Sequence, residues 1–155
     1  MTETPSPAVQ DKQDPGPSTP AAAPEGAVVS GAVESCGLEH LVLKLPGTNY
    51  RLKLAWSGAA LAERARVSGV ITARARRIDV VPAGGRFVEP VFGRPRRVQG
   101  RVIAVDADAN VVWVKAGPAL CVTPTDPRQK ASDFAVGALI SFDVEAGARL
   151  TPMGG

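Results

Sequence analysis

Few residues in this chain have the types and spacing that catalysis requires. His40 is the only histidine, and the two cysteines, Cys36 and Cys121, lie far apart in the sequence. Metal sites built from several histidines, and zinc sites that need paired cysteines, are therefore excluded. A Cys36 thiolate could be activated by His40 four positions later, but that spacing is equally typical of a hairpin loop. The sequence predicts no catalytic, metal or cofactor site, and a protein that is not an enzyme.

Arginine is the residue type that gives this chain a chemical character, because guanidinium groups bind phosphate oxygens. Between Arg64 and Arg101 there are ten arginines against two acids, Asp79 and Glu89, which is a net charge of +8. Residues 1–27 carry a net charge of −3, and the whole chain carries +3. The basic character is therefore regional, and it predicts a surface that attracts a phosphate backbone.

The basic side chains lie on segments that alternate as β-strands do. Leucines occupy every second position of residues 41–45 and 52–54, with charged residues between them, and residues 46–49 (PGTN) have the chemistry of a turn. In residues 69–76 one face carries Ile71, Ala73 and Ala75, and the opposite face carries two arginines. If the strands are neighbours, the outward side chains form one positive surface. Its predicted members are Lys44, Arg51, Lys53, Arg74 and Arg76.

The strand pattern occurs twice, about 70 residues apart. Residues 29–33 (VSGAV) recur as residues 98–102 (VQGRV), and residues 82–85 (PAGG) recur as residues 152–155 (PMGG). A fixed internal period indicates repeated structural units. Each copy contains five short predicted strands, with a longer excursion between the third and the fourth.

This plan resembles the OB-fold, a five-stranded and partly open barrel. The resemblance implies an all-β protein made of two tandem OB-like barrels, of which copy one spans residues 28–82 and copy two residues 98–152. Residues 83–97 form an arginine-rich linker. Residues 1–27 hold six prolines and only Val9 as an aliphatic residue beyond alanine, which predicts a disordered tail.

The linker and the second copy add further candidates for binding. Residues 93–95 (GRP) resemble the AT-hook, whose arginines enter the minor groove of DNA. In the alternative interpretation, Phe87, Val91 and Phe92 pack the linker between the two lobes and leave the arginines at its mouth. The basic candidates of this region are Arg94, Arg96, Arg97, Arg101 and Lys115.

Trp113 is the predicted stacking residue. It occupies the position in copy two that Lys44 occupies in copy one, so the alternation predicts a partly exposed indole beside Lys115 on which a base could stack. In the alternative interpretation, Trp113 covers the interface between the modules.

The leading hypothesis is a binding protein that contacts single-stranded DNA or RNA with low specificity through its basic face. The alternatives are a structural or protein-interaction module, and a binder of small oxyanions or nucleotides between the modules. No apolar stretch is long enough for a signal peptide or a membrane span, so a cytoplasmic location and no membrane contact are expected. Whether Cys36 and Cys121 pair is left open.

Overall fold

The computed structural model describes residues 23–152. Within them the only helical segment is a single 3-10 turn at Ala131–Asp133, so the prediction of an all-β chain is confirmed. No helix in this range is long and apolar enough to cross a membrane. The eleven strands are β1 (Val29–Cys36), β2 (His40–Lys44), β3 (Arg51–Ala55), β4 (Arg66–Val80), β5 (Phe87–Glu89), β6 (Phe92–Gly93), β7 (Arg97–Asp106), β8 (Val111–Lys115), β9 (Ala119–Pro124), β10 (Leu139–Val144) and β11 (Arg149–Pro152).

The longest strand, β4, takes part in both halves of the sheet. Its first part pairs with β1, Val29 lying opposite Gly69, and with β11. Its second part pairs in parallel with β9, Ile71 lying opposite Leu120, and in antiparallel with β10. Residues 72–74 (TAR) contain none of the glycine, proline or asparagine that a hairpin needs, so the chain continues straight through.

The two repeats exchange strands through β4 and β11. One circuit of pairings runs β1, β2, β3, β11, β4 and returns to β1; we call these strands, with the first part of β4, lobe 1. The other runs β7, β8, β9, β4, β10 and returns to β7; with the second part of β4 it forms lobe 2. The first repeat therefore gives β1–β3 and the first part of β4 to lobe 1 and the second part of β4 to lobe 2, and the second repeat gives β7–β10 to lobe 2 and β11 to lobe 1.

A single apolar core extends through both lobes. The alternating leucines of β2 and β3 point into it, as the sequence pattern predicts, and so do Ile71, Ala73 and Ala75 of β4. Val112 and Val114 of β8 and Phe142 of β10 belong to the same cluster. The shared core follows from the shared strand, because Ile71 of β4 lies opposite Leu150 of lobe 1 and Leu120 of lobe 2, and all three belong to this cluster.

Two glycines explain part of the sequence repeat. A Cβ atom at Gly31 of β1 would lie 2.6 Å from the carbonyl oxygen of Lys44, at the end of β2. A Cβ atom at Gly100 of β7 would meet the carbonyl oxygen of Lys115, at the end of β8, in the same way. Glycine at these equivalent positions lets one backbone approach another closely.

The last residues of the predicted tail are packed against the fold. Residues 1–22 lie outside the described range, but residues 23–27 lie within it, and Ala27 is fully buried at 0% exposure. The prediction of a disordered tail over residues 1–27 stays a prediction, and what the structure adds is that its last residue, Ala27, is buried. Ala27 is buried because it joins a small apolar cluster on the outside of lobe 2.

Candidate nucleic-acid interface

The outer face of β2 and β3 carries three of the predicted basic residues. Lys44 lies directly opposite Arg51 in the antiparallel ladder, and Lys53 lies two residues further along β3, opposite Val42. Lys44 and Lys53 are exposed, and Arg51 is half-buried. The leucines between them point into the core, so the alternation predicted the orientation of these three side chains.

The linker places an aromatic ring beside this face. Its short strand β6 pairs in parallel with β3, with Phe92 opposite Arg51, and the backbone N–H of Arg51 donates to the carbonyl oxygen of Val91 at 2.8 Å. The Arg51 guanidinium lies over the Phe92 ring, 5.6 Å from its centroid. The Nε atom of Arg51 is also 3.5 Å from Oε1 of Glu34, with which it forms an ion pair.

The linker is held by buried residues other than those the sequence suggested. Val88 is buried, and its N–H donates to Oη of Tyr50 at 3.0 Å; Pro95 is buried as well. Val91 and Phe92 are 47% and 60% exposed. The interpretation that Phe87, Val91 and Phe92 pack the linker between the lobes is therefore wrong for Val91 and Phe92, whose side chains extend into solvent, whereas Phe87 is half-buried.

A groove of about 600 Å³ opens next to Phe92, and we call it the linker groove. It is lined by residues 89–94 together with Arg96 and Arg97. Five ion pairs are found within residues 23–152, and Arg94 and Arg96 take part in none of them. Arg97 does: its Nη1 lies 2.9 Å from Oδ1 of Asp143. Two exposed guanidinium groups are therefore open to an anion in the linker groove.

The other predicted basic residues lie on other strands; the part of β4 that carries Arg74 and Arg76 pairs with β9 and β10 and not with β2 or β3, so the condition for one continuous surface is not met. Arg74 follows β4 into lobe 2, where its Nε lies 3.4 Å from Oε1 of Glu145. Arg101 donates to the carbonyl oxygen of Gly137 at 2.9 Å. Lys115 lines a groove of about 250 Å³ with residues of β1 and of the turn after β2. The strand exchange accounts for the position of Arg74, because it carries the second part of β4 away from β3.

Arg76 belongs to a second groove, of about 450 Å³, and among the charged residues that line it Arg76 alone takes part in none of the five ion pairs within residues 23–152. Arg76, Arg77 and Arg128 share it with Asp126 and Glu145. Hydrogen bonds from the Arg128 side chain, at 3.1 and 3.0 Å, and from its backbone N–H lower the pKa of Asp126 to about 2. The Asp126 carboxylate therefore stays ionised and pairs with the Arg128 guanidinium, which would otherwise be free to bind an anion.

Trp113 is not the exposed aromatic that the sequence predicts. The alternation is correct, since Val112 and Val114 enter the main core while Trp113 faces outward. However, the outward face is covered, and Trp113 is only 2% exposed. Phe92 is the exposed aromatic that sequence reasoning missed as a stacking residue. Its position beside the arginines of residues 94–97 is the signal that could have identified it.

The cysteines and acids provide no further site. Cys36 and Cys121 are both free thiols. The pKa of the Cys121 thiol is raised to about 12, mainly by burial and to a smaller extent by the charge of Asp106. Across residues 23–152 no three histidine, cysteine, aspartate or glutamate side chains come together as metal ligands would.

No family model, no curated protein and no solved structure matches this chain. The geometry of the linker groove and of the β2–β3 face is therefore the basis for the function proposed below.

Proposed function

We propose that this chain binds single-stranded nucleic acid with low sequence specificity, as a binding protein rather than an enzyme. The observation that carries the proposal is Phe92. Its ring is exposed, is held under the Arg51 guanidinium, and borders a groove in which Arg94 and Arg96 have no acidic partner among the described residues. An aromatic platform next to unpaired cations is what single-strand binding requires.

Each part of this surface contributes a different interaction. Lys44, Lys53, Arg94 and Arg96 neutralise phosphates, and the release of counterions that follows favours binding at low salt. The open face of Phe92 stacks on a base, and the stacked guanidinium of Arg51 contributes a cation–π interaction. Phosphate contacts and stacking carry no information about base identity. Low sequence specificity follows.

The strand pairing supports an OB-like interpretation of the two lobes. Each is a circuit of five strands that returns to its first strand, which fits a small, partly open barrel. In OB-folds the ligand lies on the face of the second and third strands. In lobe 1 these strands are β2 and β3, which carry Lys44, Arg51 and Lys53.

The first test is a fluorescence-anisotropy titration of single-stranded DNA and RNA over a range of salt concentrations. We expect the double variant Arg94→Gln/Arg96→Gln to bind more weakly. Its plot of log affinity against log salt should be less steep by about 0.7 for each phosphate that the variant no longer neutralises. The matched control is Arg77→Gln/Arg128→Gln, which removes the same charge from two ion pairs in lobe 2.

The control should keep the slope of the parent chain. Absence of binding at low salt would contradict the proposal. An equal weakening of binding in the two double variants would also contradict it, because it would show a response to net charge rather than to the linker groove.

A protein partner is the second candidate function, and the exposed pair Val91 and Phe92 favours it. Apolar side chains exposed beside one another at the edge of a groove suit an interface. Pull-down from a lysate treated with nuclease separates the two functions. Retention of one stoichiometric protein by the parent chain, but not by Phe92→Ser, would indicate a protein interface.

A further inference from the structure

The outer face of β8 and β9 in lobe 2 is the counterpart of the basic face in lobe 1. The pairings place Trp113 on β8 where Val42 lies on β2, and Lys115 where Lys44 lies; Cys121 lies opposite Trp113 on β9. In lobe 1 this face is open to solvent. In lobe 2 it is covered by residues 23–27, which we call the strap. The cluster beneath and around the strap consists of Ala27, Val70, Val111, Trp113 and Cys121, with Ala23, Ile103, Ala104 and Ala109 at its edge.

The strap leaves the sheet because β4 has no free edge for it. One edge of β4 pairs with β1 as far as Gly69, which lies opposite Val29, and the same edge pairs with β9 from Ile71 onwards. The residues before Val29 therefore find this edge occupied and cannot extend the ladder. The chain turns instead. The N–H of Ala27 donates to the carbonyl oxygen of Pro24 at 3.1 Å, and Gly26 has a φ of +83°. These are the features of a type II turn, which directs Ala27 onto Trp113 and Cys121.

Apart from its covalent link to β1, the strap is held on lobe 2 by side-chain contact alone. Within the described range, its one backbone hydrogen bond is the internal one of the turn, and no hydrogen bond joins it to β8 or β9. A groove of about 390 Å³ runs along its edge, lined by Ala23, Pro24 and Trp113. A segment with few buried contacts and no ladder bonds opens locally more easily than the sheet beneath it.

We propose that the β8–β9 face is a binding site for short segments of alanine and proline, and that the strap is its exchangeable resident ligand. Aromatic-lined surfaces bind proline-containing segments, and here a segment with Pro24 and Ala27, folded as a turn, already lies against the face that carries Trp113. The same face therefore accepts a segment of like chemistry from outside when the strap is displaced. This inference does not depend on nucleic-acid binding, since it concerns lobe 2.

The test follows the two tryptophan indole N–H signals by NMR. In a variant without residues 1–27, the Trp113 signal should shift and its hydrogen should exchange faster with solvent. The Trp56 signal is the internal control, because Trp56 is buried in lobe 1, where its indole donates to the carbonyl oxygen of Ala59 at 3.0 Å. A synthetic peptide of residues 23–29 (APEGAVV), added in trans, should return the Trp113 signal to its original position in a saturable way.

Thiol labelling provides a second measurement. With Cys36→Ser as background, Cys121 should resist labelling in the full chain, react in the shortened chain, and be protected again by the peptide. The matched control is the same peptide with Ala27→Asp, which should neither shift Trp113 nor protect Cys121, because a carboxylate cannot enter the apolar cluster.

If the shortened chain fails to fold, the full chain with Ala27→Asp replaces it, and Trp113 and Cys121 should then be exposed at full length. An unchanged Trp113 signal and an unreactive Cys121 in the variant that folds would overturn the proposal. Exposure of both residues without any response to the peptide would overturn it as well, since the strap would then be a fixed part of the core.

Discussion

Phe92 is positioned by its backbone and leaves its ring to solvent. The pairing of β6 with β3 and the guanidinium of Arg51 fix the ring, while 60% of the residue stays exposed. Such a residue adds little to the stability of the fold, because little of its surface is buried. Its replacement therefore separates binding from folding.

We expect Phe92→Leu to weaken binding of single-stranded DNA by about 1–3 kcal/mol, which is the usual contribution of one base–aromatic stack. The thermal midpoint should change by less than about 2 °C, as for an exposed position. Anisotropy titration and a melting curve measure the two effects. Val91→Ala is the control, since it removes apolar surface next to the ring and keeps the stack; an equal decrease of affinity in both variants would argue against stacking.

Asp126 gives a prediction about pH. Its pKa is lowered to about 2 by hydrogen bonds from Arg128, against about 3.9 for an unfolded chain. A carboxylate with a lowered folded-state pKa stabilises the fold above pH 4, and this contribution is lost as the pH falls from about 4 to 2. Arg128→Gln should therefore raise the pKa of Asp126 and make acid unfolding between these pH values less steep. NMR titration of the side-chain carboxyl measures the pKa, and an unchanged value would contradict the assigned cause.

Single residues also show what the sequence could predict about the site. Alternation correctly orients Lys44, Arg51 and Lys53, because strand geometry is local. It also orients Trp113 correctly, but it cannot show that residues 23–27 cover that face, since this contact joins segments far apart in the chain. The role of Phe92 depends on the pairing of β6 with β3, which no local pattern encodes.

At the scale of elements, the glycines of β1 and β7 set how closely the next strands approach. Gly31→Ala and Gly100→Ala should each lower the free energy of unfolding by about 1–3 kcal/mol, the usual cost of overpacking, because the added methyl group meets a backbone carbonyl that cannot turn aside. Gly85→Ala is the control, since nothing lies within 4 Å of the added atom. Urea unfolding measures all three, and a neutral effect in both β1 and β7 would contradict the close approach.

The strands themselves were largely predictable, and their exchange was not. Alternating apolar residues mark β2, β3 and β4 in the sequence, and the residues that end them favour turns. The apolar alternation in the second part of β4 fits two arrangements equally well. In one the chain turns back and pairs within its own repeat, and in the other it continues into lobe 2. The absence of turn residues at 72–74 is the one local sign that it continues.

At the scale of the whole molecule, the last strand completes the first lobe. β11 pairs with four residues of β4 and touches β3 at Arg149, and Leu150 is buried in the core. Removal of residues 149–155 should therefore damage lobe 1, although β1–β3 lie far away in the sequence. In amide hydrogen exchange, β1–β3 should lose protection before β7–β9 do.

Two further variants control this experiment. Removal of residues 153–155 keeps β11 and should leave exchange unchanged, whereas Leu150→Ala should destabilise the fold by about 2–5 kcal/mol, with the loss of protection again beginning in lobe 1. Earlier loss of protection in lobe 2 than in lobe 1 would contradict the exchange of strands.

The position of β11 also imposes an order on biosynthesis. A ribosome releases β1–β4 long before β11, so the nascent chain holds four of the five strands of lobe 1 while the fifth is still untranslated. During this interval, the edges of β3 and β4 that β11 later covers are unpaired, and unpaired edges are sites of misassembly. Domains usually fold from the N-terminus as they emerge; here lobe 1, although its other strands come first, cannot be completed until β11 has been synthesised.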